Sequence, residues 1–189
     1  MKKIVTHLGL SIILLLWLQP KIVRSNEQTF QDIQTIATNG STNWEFFTIG
    51  NNSYLIVANQ YNDSSRNINS KIYKWNGASF VEFQIIPTNG AVDWQFFTMD
   101  SNSYLVVANN HNDSSLNINS KIYKWNGASF VEFQTIPTNG AADWEYFTVD
   151  NNSYLVVANQ QNGSSYNIDS KIYKIYELSF YTYMPVIIK

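Results

Sequence analysis

From residue 30 onward the chain repeats itself three times at a constant offset of about 50 residues, the spacing of an internal repeat. Trp44, Trp94 and Trp144 hold one phase of this period; Tyr54, Tyr104 and Tyr154 hold a second, and Ser70, Ser120 and Ser170 a third. A period of this length is one supersecondary unit used repeatedly, and such a unit cannot hide its apolar face alone, so the fold comes from stacking units on one another. A feature copied this faithfully is structural before it is catalytic.

The middle copy gives the unit most cleanly. Trp94–Met99 (WQFFTM) and Ser103–Asn109 (SYLVVAN) have strand length and aromatic or β-branched content, as do Ser120–Trp125 (SKIYKW) and Phe130–Ile136 (FVEFQTI). Asp100-Ser101-Asn102 and Trp125-Asn126-Gly127 tolerate positive φ and suit hairpins. Residues 110–119 form the longest loop, and Pro137-Thr138-Asn139-Gly140 turns into the next copy. The pattern predicts four antiparallel strands, A to D, near residues 44–86, 94–136 and 144–188. A lone D-type strand over 30–36 precedes them. The fold class expected is all-β: a partial β-propeller of three four-stranded blades plus that extra N-terminal strand. A β-trefoil, which also uses three units of four strands, is the alternative.

The ends and the composition narrow the setting. Lys2, Lys3, an apolar run from Leu8 to Leu18, and small residues at Val23 and Ser25 read as an export signal over residues 1–25. The run is too short for the roughly 20 residues that span a bilayer. Residues 26–189 are then the repeat domain, in copies of about 30–79, 80–129 and 130–179, secreted or held at the cell surface. Cleavage removes four of 12 basic residues and none of 14 acidic ones, leaving a net charge of −6. A balance of that sign offers no basic stripe for phosphates, so nucleic acid is not an expected partner. There is no cysteine, which excludes thiolate metal and redox chemistry.

The string NSYLVVAN, an Asn/Ser-rich loop, and SKIYKWNGASFVEFQ together resemble the epitempin or epilepsy-associated repeat, EPTP or EAR. The resemblance covers residues 30–180 and rests on Tyr104–Asn109, Ser120–Trp125, the aromatic pair after Trp94, and Phe133-Gln134. It implies a propeller, of about seven such repeats in the family, that binds other extracellular proteins. Members include leucine-rich glioma-inactivated secreted proteins and adhesion-type receptor ectodomains. This chain departs in having three copies. It departs again at its end: the third copy matches the second at 34 of 45 positions over 130–174 but at 2 of 15 over 175–189. A loss so abrupt reads as a truncated or mis-spliced frame of a larger EAR-repeat receptor or secreted protein.

Chemistry is thin. Once the signal is removed one histidine remains, His111, with Tyr61 and Gln161 at its position in the other copies, so neither a Ser-His-Asp relay nor a histidine metal site is expected. Asp143 and Glu145 resemble a glycosidase pair, but the equivalents are Asp93 and Gln95, then Asn43 and Glu45, an interchange that suits solvated strand edges. The loops Asn62-Asp63-Ser64, Asn112-Asp113-Ser114 and Asn162-Gly163-Ser164 carry too few carboxylates for calcium. No cofactor and no enzymatic activity are expected. Lys71 and Lys74 around Tyr73 read as a solvated face before a carbohydrate platform.

The expected function is binding of an extracellular or cell-surface protein, with a lectin-like module as the alternative. Antiparallel four-stranded blades put the D-to-A turns and B-to-C loops on one face. The copies differ there at Tyr61, His111 and Gln161 and at Arg66, Leu116 and Tyr166, and variable side chains on a fixed scaffold are where recognition sits. Asn39, Asn51, Asn62, Asn112, Asn151 and Asn162 lie in N-glycosylation sequons. Three blades leave apolar flanks open, and self-association is the expected consequence.

Overall fold

The structure, a computed structural model, describes residues 28–176. The leader expected over 1–25 and the last D-type strand expected over 180–188 lie outside the described residues. Residues 1–33 and 34–189 form two units, and the account below concerns the second.

Within it, β1 (Ser41–Ile49), β2 (Asn52–Asn59), β3 (Asn69–Trp75) and β4 (Phe80–Pro87) form one sheet in that order. A second sheet holds β5 (Ala91–Met99), β6 (Asn102–Asn109), β7 (Asn119–Trp125) and β8 (Phe130–Pro137), again in chain order. The third contains β9 (Ala141–Val149), β10 (Asn152–Asn159) and β11 (Lys171–Lys174). All neighbours are antiparallel, and equivalent pairs keep the same register: Trp44 faces Val57, Trp94 faces Val107 and Trp144 faces Val157. Each unit is thus a self-contained meander. A trefoil needs strands of all three units in a shared barrel, so the sheets are propeller blades.

The blades meet face to face, which explains the unbroken apolar run of the second strand in each. In β6 the side chains of Tyr104, Val106 and Ala108 point to one neighbour and those of Leu105 and Val107 to the other, and all five are buried. One core lies between the first two blades and joins Phe47, Tyr54 and Ile56 to Trp94, Leu105 and Phe130. Its counterpart between the next two joins Phe97, Tyr104 and Ile122 to Trp144, Leu155 and Val157. The rings repeat their geometry as well. Phe47 stacks on Phe96 at 4.8 Å and Phe97 on Tyr146 at 4.9 Å, planes within 13° and 14°.

Polar side chains lace the same seams. The Glu45 carboxylate accepts the backbone N–H of Phe96 at 2.9 Å, and that of Asp93 accepts the N–H of Trp144 at 3.0 Å. Gln84 grips the backbone of Phe130 with both ends of its amide, at 2.7 and 2.9 Å. Gln34 grips Phe80 in the same way, at 2.7 and 2.8 Å.

Two expectations are corrected. Residues 28–38 contain no strand, although 30–36 has the D-type pattern. A D strand needs the C strand of its own sheet as a ladder partner, and among the described residues none precedes it. The acidic positions of the A strands are not solvated edges throughout: Asp93 is 6% exposed and bridges two blades, whereas Asp143 and Glu145 are exposed.

Candidate recognition face

The D-to-A turns and B-to-C loops do emerge together, and their backbones are hydrogen-bonded into one layer. The N–H of Gly90 donates to Arg66 O of the preceding loop at 2.6 Å, while Gly90 O accepts from Asn110 of the following loop at 3.1 Å. Gly140 repeats this between Leu116 O, at 2.7 Å, and Gln160, at 3.0 Å. Glycine is required here twice over. Gly90 has φ of +53°, and a Cβ on it would collide with the carbonyl oxygen of His111.

Beneath the turns lies a buried asparagine at the end of each B strand. Asn109 donates from Nδ2 to Asn119 O at 2.9 Å and accepts from Asn89 N–H at 3.1 Å. Asn59 and Asn159 make the same two bonds. Each therefore satisfies both halves of its amide while tying its own loop to the turn before it.

Within each loop, Asn62, Asn112 and Asn162 accept backbone N–H bonds from the serines two and three residues on. The loops are consequently one backbone design carrying different side chains. Tyr61 is exposed, with the Arg66 guanidinium 5.1 Å from its ring centroid. His111 is half-buried, its Nδ1 2.7 Å from Asn110 Oδ1. Burial, and then the Arg66 charge, push its pKa below the ordinary value of 6.5, so the ring is neutral at physiological pH. Leu116 and Gln161 are half-buried between loops, whereas Tyr166 is 76% exposed.

Two features escaped the sequence. Asp113 binds the neighbouring loop through Arg66 N–H at 2.6 Å, Ser65 Oγ at 2.8 Å and Asn67 Nδ2 at 3.0 Å, and those donors hold its carboxyl below the usual range. The third copy has Gly163 at that position. There a groove of about 420 Å³ opens between the second and third loops, lined by His111, Asp113, Leu116, Asn162 and Gly163 among others. The only sequence signal was a single Asp-to-Gly change among three copies, which gave no indication of its partner.

Other candidates sort by position. The sequon residues Asn51 and Asn151 are exposed at hairpins on the opposite face, between A and B strands; Asn39 and Asn62 are exposed on the loop face, and Asn112 and Asn162 are half-buried there. Lys71 pairs with Glu82 at 2.8 Å, and Lys74 lies 5.8 Å over the ring of Tyr54, so both lysines cover their own sheet. Among the described residues no group of three or more His, Cys, Asp or Glu side chains is placed to hold a metal ion.

The sequence profile of the EPTP domain matches residues 29–76, 79–126 and 129–175. The mouse thrombospondin-type laminin G domain and EAR repeat-containing protein is 45% identical over 47 residues, 25% of this chain and 7% of that protein. The human protein of the same description is 46% identical over 43 residues, 23% of this chain and 6% of that protein. The chain thus spans a small fraction of the curated relatives it matches. Each profile copy is one strand out of phase with a blade: residues 79–126 take in β4 of the first sheet and β5 to β7 of the second. Matched in three copies across most of its length, and folded into the blades that the repeat implies, the chain belongs to the EPTP domain family.

Proposed function

We propose that this chain is a protein-binding EPTP/EAR module that works outside the cell and takes its partner on the face formed by the B-to-C loops. The observation that carries the reading is the contrast between backbone and side chains on that face. The loops are locked in one conformation by shared hydrogen bonds, yet they present Tyr61 with Arg66 in one copy and Tyr166 in another. Tyrosine offers large contact area with two rotors to freeze, arginine offers a planar fork of donors, and both are enriched among the residues that dominate the energetics of protein interfaces. The Leu8–Leu18 leader pattern supports the extracellular setting.

The test is a binding screen of the purified protein against an array of cell-surface ectodomains, with a glycan array beside it. An ectodomain should bind, and Arg66→Ala or Tyr166→Ala should weaken it by about thirtyfold, the scale of a central contact. The melting temperature of Tyr166→Ala should not change, since Tyr166 is 76% exposed, and that of Arg66→Ala should fall only slightly, by the loss of its contact with the Tyr61 ring. Replacing the whole 110–116 segment would not be informative, because Asn110 is buried and bonded to Gly90 and Ala141. A blank ectodomain array with a glycan signal would replace the proposal with a lectin.

A further inference from the structure

The described chain has one D-type segment too many at its beginning and one D strand too few in its last blade. β4 completes the sheet of β3, and β8 completes that of β7. Among the described residues the outer edge of β11 has no ladder partner, and the pattern Phe30, Asp32, Gln34, Thr38 repeats Phe80, Glu82, Gln84, Thr88 without forming a strand. We infer that two copies associate head to tail, residues 30–37 of one adding as the missing fourth strand to β11 of the other.

The seams inside the chain specify the geometry. Gln84, on the D strand of the first blade, grips Phe130 of the second, and Gln34 grips Phe80 identically. Gln34 is therefore already placed as the D strand of a blade preceding the first would place it. A third blade docked there brings β11 alongside it. The register follows from the pairing of β7 with β8, in which Lys121 faces Thr135 and Ser120 faces Ile136. Lys171 of one copy then faces Thr35 of the other, and Ser170 faces Ile36.

Side-chain chemistry agrees position by position. Lys71–Glu82 and Lys121–Glu132 are both ion pairs at 2.8 Å, and the same spacing sets Lys171 against Asp32. Ser70 meets Thr88 and Ser120 meets Thr138, each pair at 3.1 Å and buried; Ser170, exposed here, meets Thr38. At the first seam the ring of Phe130 packs edge-on against Phe47 and Trp125. At the second seam, beside Phe97, Tyr104, Phe133 and Ile175, a groove of about 820 Å³ stands at the matching place. Phe30, fully exposed, is the ring that this register delivers to it.

The flanks match for the same reason. Phe46 and Trp44 on the first blade are exposed where Phe96 and Trp94 are covered, and Ile172 on the third is exposed where Ile72 and Ile122 are buried. The two flanks differ, so the contact is heterologous and must close into a ring or propagate. Two copies of three sheets make about six blades, within the usual span of about four to eight, and a closed dimer is the expected product.

The chain has no cysteine, which makes cross-linking clean. Thr35→Cys and Lys171→Cys are purified separately, mixed, and treated with oxidised glutathione. The mixture should give a disulfide-linked dimer on a non-reducing gel, and neither variant alone should give one. Sedimentation of the wild type should report twice the chain mass, and Phe30→Asp should raise the dissociation constant at least tenfold. A wild-type monomer at all concentrations overturns the inference, as does a dimer whose mixed variants fail to cross-link. A chain lacking 177–189 should dimerise as the wild type does. If only that shortened chain dimerises, the protein's own C-terminus occupies the edge and the inference fails.

Discussion

Asp93 is a buried carboxylate that reaches across a blade seam to accept the backbone N–H of Trp144. Burial lifts its pKa from 3.8 to about 6, while the N–H groups of Trp144 and Trp94 pull the other way. A group whose folded pKa is raised stabilises the fold below its unfolded pKa and loses that contribution as pH rises through the folded value. The window here is pH 4 to 6, and the amount lost is about 3 kcal/mol, at about 1.4 kcal/mol per pH unit. Asp93→Asn keeps an acceptor for Trp144 and puts at 93 the residue found at 43. In urea unfolding, the stability of wild type relative to the variant should fall by that amount between pH 4 and pH 7. A pH-independent difference would show that Asp93 titrates normally. The asparagine at the end of each B strand is subject to a stricter test. Asn109→Asp removes the donor to Asn119 O and sets a carboxylate against a carbonyl in a site 1% exposed. A loss of about 3 kcal/mol is expected by urea unfolding, since a buried charged group without its partner costs that or more. Neither residue stood out in the sequence. Asn109 sits among many loop asparagines, and Asp93 looks like any polar residue at a strand end. What separates them is a set of partners 10 to 51 positions distant, and only the fold supplies them.

At the level of strands, burial depends on having a neighbour. Trp44, Trp94 and Trp144 share one repeat position and one cross-strand partner type, yet they are 39%, 2% and 1% exposed. The difference is a blade in front of the second and third. In chemical unfolding at concentrations low enough to keep the chain monomeric, Trp94→Ala and Trp144→Ala should each cost about 3–5 kcal/mol, as large core aromatics do, and Trp44→Ala no more than about half of that. Equal costs would mean that Trp44 is covered in solution. Strand type and order were legible in the sequence because alternation, turn residues and the 50-residue offset agreed with one another. The strand expected over 30–36 was misplaced for the opposite reason: its alternation is correct, but a ladder also needs a partner, and pattern does not report one. β11 makes the same point from the other side. Among the described residues it is paired on one edge and keeps the four residues Lys171–Lys174, whereas β3 and β7, paired on both edges, keep seven each.

For the molecule as a whole, the repeat was enough to place the D-to-A turns and the B-to-C loops on one face. Antiparallel order alone puts D-to-A turns beside B-to-C loops, and the structure brings them together as that order requires. Tyr61 and Tyr166 vary among copies and are exposed, and Arg66, half-buried, lies over the Tyr61 ring. His111, Leu116 and Gln161 vary too, but they are half-buried between loops, so variation alone does not distinguish surface from seam. The glycine turns have a practical consequence. Since Gly90 and Gly140 bond to the loop on either side through main chain only, the six side chains can be rewritten without disturbing those bonds. A randomised library at those positions could search for new specificities on an unaltered frame, with tolerance highest at the exposed Tyr61 and Tyr166.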